Sequence, residues 1–257
     1  MTTTLAIANQ KGGVGKTTTA ISVAAGLAAL EKRVLLVDCD PQGNATRGLG
    51  HTARAPHLYH VLVGESPIEA AILPSGFPFL DLLPADRDLV GVEVEFVGLE
   101  RWEEVLGARL AAIAERYDFI LIDTPPSLGL LTVNALTASD DVIVPVQCEY
   151  LSLRGLVQLE NTLTMIRENI NPDVEIQGIL PTMFDRRLLN SREAVEILVE
   201  NFGDLVYDTR IRKLVRYAEA PVKGQSVLAY DPTGEAAKMY RELAKEVLNG
   251  AKARKHA

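Results

Sequence analysis

Apolar residues in this chain gather in short, nearly continuous blocks rather than in strict alternation. Leu5-Ala6-Ile7-Ala8, Val34-Leu35-Leu36-Val37, Phe119-Ile120-Leu121-Ile122, Val142-Ile143-Val144 and Ile176 to Met183 are each closed by polar or glycine-rich residues. Blocks of this kind suit strands buried on both faces of a parallel sheet. Between them the apolar positions fall at helical spacing: Thr17 to Leu30, Trp102 to Tyr117, the stretch up to about Asn169, and 233 to 248, where Ala236, Met239, Tyr240, Leu243 and Val247 share one face. Strand and helix alternate, which predicts one α/β domain with a doubly wound, mostly parallel sheet and helices on both faces. Residues 51 to 100 are less regular. Short helices over 57–63 and 67–72 and a strand over 78–83 are the best fit there. His51, His57 and His60 read as surface or capping residues, and Trp102 as packing.

Length and composition narrow this picture. No linker rich in proline, glycine or serine divides the 257 residues, and 47% hydrophobic content can enclose a sizeable core. The first strand starts almost at Met1, leaving no room for a signal peptide, and no apolar run approaches the roughly 18 residues of a membrane span, so a cytoplasmic location is expected. Cys39 and Cys148 sit at or near strand ends and read as free buried thiols. The net charge of −8 disfavours nucleic acid overall, though local clustering can override it.

Candidate chemistry begins at Asn9-Gln10-Lys11-Gly12-Gly13-Val14-Gly15-Lys16-Thr17-Thr18, between the first strand and the first helix. Gly12, Gly13 and Gly15 lack a Cβ, so the backbone can turn several N–H groups toward one phosphate. The helix opening at Lys16 adds the positive end of its dipole, Lys16 can reach the β and γ phosphates, and the Thr17 hydroxyl suits magnesium. Two later strands end in acids: Asp38-Cys39-Asp40-Pro41 and, after Phe119 to Ile122, Asp123. Acids at the carboxyl ends of parallel strands face the ligand crevice, and Asp123 fits a magnesium shell. Asp38 is open between a structural and a metal role.

Gln10 stands where the common phosphate loop carries its first glycine, and Lys11 follows it. This K-G-G-x-G-K-[ST] pattern resembles the deviant Walker A loop of the ParA/Soj partitioning ATPases, MinD and the nitrogenase iron protein. The segments Asp118 to Ala138, Gln147 to Gly155, Glu219-Ala220-Pro221 and Tyr230-Asp231-Pro232 also look like ParA/Soj, so the resemblance covers most of the chain. It implies an ATPase domain over 1–250 with a short basic tail over 251–257, ATP and Mg2+ as cofactors, and an ATP-dependent homodimer. It also implies that Lys11 reaches the partner copy's phosphates and that Asp40 positions the attacking water near magnesium. Lys11, Lys16 and Asp40 are then catalytic, and Thr17, Asp40 and Asp123 surround the metal. Nucleotide contacts fall to Lys11, Gly12, Gly13, Val14, Gly15, Lys16, Thr17 and Thr18, with Met183 and Arg212 near the base. The family's usual Ile-Pro-Arg-Asn-Val-Arg is Ile211-Arg212-Lys213-Leu214-Val215-Arg216 here.

The last third of the chain holds the basic residues Arg186, Arg187, Arg192, Arg210, Lys213 and Arg216, candidates for double-stranded DNA. No base-reading motif accompanies them, so sequence-independent contact with the nucleoid is expected. With roughly four phosphates neutralised per copy, log affinity falls against log salt with a slope of about −3.6, and about −7 for a dimer. The resemblance further implies a ParB-type partner that speeds hydrolysis in chromosome or plasmid segregation. A MinD-like membrane ATPase is the alternative, disfavoured because 249–257 offer charge without an apolar face.

Overall fold

The computed structural model describes residues 2–149 and 153–255, the side chains at 153–155 and 252–255 excepted. Part of the Gln147 to Gly155 stretch and the end of the basic tail therefore lie outside the described residues.

Eight strands form one sheet among the described residues: β1 (Thr3–Ile7), β2 (Val34–Asp38), β3 (Leu73–Pro74), β4 (Leu80–Leu83), β5 (Phe119–Asp123), β6 (Asp141–Gln147), β7 (Glu175–Phe184) and β8 (Ile211–Arg212). Their order is β3-β4-β2-β5-β1-β6-β7-β8, and only β3 runs antiparallel to its neighbour. The expected doubly wound α/β fold is what forms. From β1 the chain moves to β2 on one side and later crosses to β6 on the other. The crevice therefore opens at the carboxyl end of β1. Register then decides what meets there, because Ile7 and Asp38 both stand opposite Asp123.

Successive residues of a strand face opposite ways, which explains the continuous apolar blocks. Leu5 and Ile7 point into a core shared with the helices Lys16–Ala28 and Glu235–Lys255, whereas Ala6 and Ala8 pack with Leu156, Leu159 and Leu163 on the other face. The two helices approach most closely at Gly26. A Cβ there would lie 2.7 Å from the Ala244 Cβ and 3.2 Å from the Tyr240 carbonyl oxygen. Gly26→Ala is accordingly expected to destabilise the protein by about 1–3 kcal/mol, read as a lower denaturant midpoint at unchanged slope.

Three local readings need correction. The stretch from Trp102 to Tyr117 is not one helix: a 3-10 turn (Trp102–Glu104) leads into a helix of seven residues (Val105–Ala111), and a second 3-10 turn (Ala114–Arg116) follows. At the first of these breaks Asn134 Oδ1 accepts the Leu106 N–H at 3.1 Å, so that amide does not continue a helix from Trp102. The final helix runs through to Lys255 instead of stopping near 248. His57 does cap the helix Leu58–Leu62, but it is no surface residue, with only 2% of it exposed. Trp102 packs against the core as expected, and both cysteines are free and buried.

Candidate nucleotide site

The loop after β1 is anchored before it curls. Asn9 Nδ2 donates to the Pro145 carbonyl at 2.7 Å, and its Oδ1 accepts the Lys11 N–H at 2.9 Å, tying the loop to β6. Gly13 and Gly15 then take φ of 74° and 94°, left-handed conformations that a side chain would strain. Gly15 caps the helix Lys16–Ala28 with no side-chain partner for the first amides, so these N–H groups point into the crevice. Thr182 of β7 holds the loop from the far side, its hydroxyl donating to the Val14 carbonyl at 2.9 Å.

Lys16 is 7% exposed, and its Nζ donates to the Lys11 carbonyl at 3.3 Å. Burial pulls its pKa down, opposed by the carboxylates of Asp123 and Asp40. Asp123 has no exposed surface, and neither carboxylate oxygen has a hydrogen bond of good geometry among the described residues. Burial and the neighbouring Asp38 and Asp40 push its pKa up, while the nearby Thr17 hydroxyl and Lys16 favour the charged form. A buried carboxylate of this kind is one that a bound cation would satisfy. With Thr17 beside it and Asp40 on the crevice wall, the donor set is all oxygen, which fits magnesium.

Asp38 and Asp40 divide the work at the end of β2. Asp38 accepts the Thr46 N–H and hydroxyl, both at 2.7 Å, and the Asp40 N–H at 3.3 Å. These contacts make Asp38 the structural acid that holds the turn. Burial still pushes its pKa up to about 6, against the hydrogen bonds from Thr46. Asp40 is 6% exposed, and its Oδ1 accepts the Gln42 N–H at 2.8 Å.

Two hollows share Gly15, Thr18 and Met183. The first, of about 470 Å³, is lined by Gly12, Gly13, Lys16, Thr17, Asp40 and Thr124 among others. The second, of about 240 Å³, has Val14, Arg212, Lys213, Leu214, Tyr217 and Tyr240 in its walls. A phosphate chain fits the polar first hollow and a base the more apolar second. Met183, placed near the base from the sequence, joins the two, with an unusual φ of 53° where the β7–β8 register shifts. Arg212 lines the base hollow while paired with Glu235. Sequence reasoning missed Gln42, Asn44, Thr124 and Pro126 in the first hollow and Tyr217 and Tyr240 in the second. Only the first four had a signal, since they follow the acids Asp40 and Asp123 directly.

Lys11 does not enter this chain's phosphate hollow. Its ammonium pairs with Glu149, 3.4 Å away, and it is not among the residues lining that hollow. The basic candidates also separate. Arg186, Arg192 and Arg210 line a distinct cleft of about 550 Å³ with Glu196 and Glu200, and Arg210 stacks 5.3 Å from the centre of the Phe184 ring. Arg187 is instead paired with Asp185 at 2.7 Å, which holds that carboxyl down at about 2. Arg216 pairs with Glu219 at 2.6 Å and with Asp231 at 3.3 Å. Lys213 belongs to the base hollow.

A phosphate-sized cradle of backbone amides beside a buried lysine, with strand-end acids set for a metal, defines the class: this is a P-loop ATPase. A family profile for an AAA domain matches residues 2–176. The chromosome partitioning protein ParA of Caulobacter vibrioides is 49% identical over 249 residues, covering 95% of this chain and 93% of that protein. The sporulation initiation inhibitor protein Soj of Bacillus subtilis is 47% identical over 245 residues, covering 95% and 97%. Among solved structures, the cobyrinic acid a,c-diamide synthase of Mycobacterium smegmatis with bound ADP and magnesium superposes with a TM-score of 0.86 at 39% identity, covering 98% of this chain and 96% of that one. The chain belongs to the ParA/Soj family of partitioning ATPases.

Proposed function

We propose that this chain couples ATP occupancy to non-specific DNA binding in a segregation system, as an ATP-dependent homodimer on the nucleoid driven by a ParB-type partner. One observation carries the reading. Neighbouring residues at the end of β7 and around β8 serve both hollows: Met183 and Arg212 line the nucleotide site, while Phe184 and Arg210, the residue just before β8, line the arginine cleft. A shift of the β7 and β8 ends on nucleotide binding would therefore move both.

Within the site, the loop amides and Lys16 bind and orient the phosphates, and Asp40 holds the attacking water in line. Thr17 and Asp123, with Asp40 close by, would hold magnesium, which would neutralise charge on the phosphoryl oxygens. Lys11 is the residue that acts between copies. Its partial exposure and its pairing with the exposed Glu149 suit exchange of that carboxylate for a partner's phosphate. Family membership supports the ParB-type partner, and alignment over 95% of the chain supports a single ATPase domain, whose last helix continues past residue 250 to Lys255 with Ala251 in the core. Among the described residues, no helix is long and apolar enough to cross a membrane.

The test is duplex binding with ADP and with a non-hydrolysable ATP analogue, alongside the mass of the protein in solution. A dimer that binds duplex with the analogue alone is expected; equal binding in both states would refute the coupling. In the same assay, joint replacement of Arg192 and Arg210 by glutamate should weaken binding by about tenfold or more and flatten the salt dependence, with dimerisation retained. Arg216→Glu should do less, because that guanidinium is already engaged by two carboxylates.

A further inference from the structure

Away from the nucleotide, a second group of ligating side chains meets behind β4. His57 opens the helix Leu58–Leu62, and Asp86 and Asp88 follow the end of β4. The His57 Nε2 lies 3.4 Å from Asp86 Oδ1 and 3.9 Å from Asp88 Oδ2, and the three ligating atoms all fall within 4.8 Å of one another. We infer that His57, Asp86 and Asp88 form a site for a divalent transition-metal ion such as zinc, separate from the magnesium of the ATPase centre.

The histidine carries the argument. Its side chain is buried, and its Nε2 is the nitrogen that faces the two carboxylates. Two carboxylates thus converge on one imidazole nitrogen. Arg87 lies between them in sequence, yet forms no ion pair with either among the described residues. A cation placed at Nε2 would satisfy all three groups. One imidazole and two carboxylates, with water at the remaining positions, suit zinc, manganese or cobalt, and zinc is held most tightly of these.

The scaffold is rigid where it needs to be. The Leu58 N–H donates to the Pro84 carbonyl at 2.9 Å, fixing the helix start to the end of β4. The Ala85 N–H, one residue before Asp86, donates at 3.1 Å to the Thr46 hydroxyl that holds Asp38. Occupancy would thus brace the turn that carries Asp40.

Zinc chloride titrated into the nucleotide-free protein in excess magnesium tests this, with uptake read by calorimetry and geometry by the visible bands of the cobalt form. One ion per chain is expected, with a rise in melting temperature. His57→Gln and Asp88→Asn should each weaken uptake by roughly tenfold or more. Asp88 is exposed, so its variant keeps the test open if His57→Gln fails to fold. A wild-type chain that takes up no zinc, or an Asp88→Asn protein that binds it with wild-type affinity, overturns the site.

Discussion

Replacing Lys16 with alanine should lower ATP affinity by about a hundredfold or more while the fold survives. Lys16 is the ammonium that lines the phosphate hollow, and it reaches that position because Gly15 begins its helix there. Its burial means that it has already lost most of its water before a phosphate arrives. Binding therefore gains much of the charge interaction without a second desolvation, and truncating one partner of such a pair costs about 3 kcal/mol, or roughly a hundredfold. The free protein should tolerate the change. Among the described residues Lys16 makes one long hydrogen bond, to the Lys11 carbonyl, and burial disfavours its charge. Calorimetric titration of ATP reads the affinity, and circular dichroism verifies the fold. A Lys16→Ala protein that binds ATP as the wild type does would mean that the loop amides alone hold the phosphates.

The phosphate loop and its acids could be read from the chain because each rests on neighbours in sequence. A glycine turn follows a buried strand, and an acid closes another. Parallel strands buried on both faces leave continuous apolar blocks, so the sheet was equally visible. What stayed hidden depends on residues brought together from afar. Asn134 takes the Leu106 N–H from 28 positions away, and His57 faces acids that follow β4. Tyr217 and Tyr240 meet edge to face, 5.6 Å between ring centres, only once the last helix packs beside the loop. The basic residues are an intermediate case. A run of positive charge gives no means of telling Arg210, stacked on Phe184, from Arg216, whose charge is met by Asp231 and by Glu219 on the next turn of its helix. The pairing with Glu219 was legible at i,i+3 spacing once Arg216 is known to start a helix.

The second large effect separates two acids that stand two residues apart. Asp40→Ala should reduce turnover by about a hundred- to ten-thousandfold, the usual span for a residue that positions or activates a nucleophile, and leave ATP affinity within a few-fold of wild type. Affinity survives because the cradle is backbone and Lys16, neither of which hangs on Asp40 by a hydrogen bond. Turnover falls because Asp40 is set in place from both sides, by the Gln42 N–H on its carboxylate and by its own N–H on Asp38. Asp38→Ala should act differently. It strips the partner from Thr46 and leaves buried donors unpaired, at about 1–3 kcal/mol for each, so the loss appears first in stability. Phosphate release at saturating magnesium-ATP, measured beside chemical denaturation, distinguishes the two. An Asp40→Ala enzyme with normal turnover would move the water-positioning role elsewhere in the hollow, with Gln42, which also lines it, the next side chain to replace.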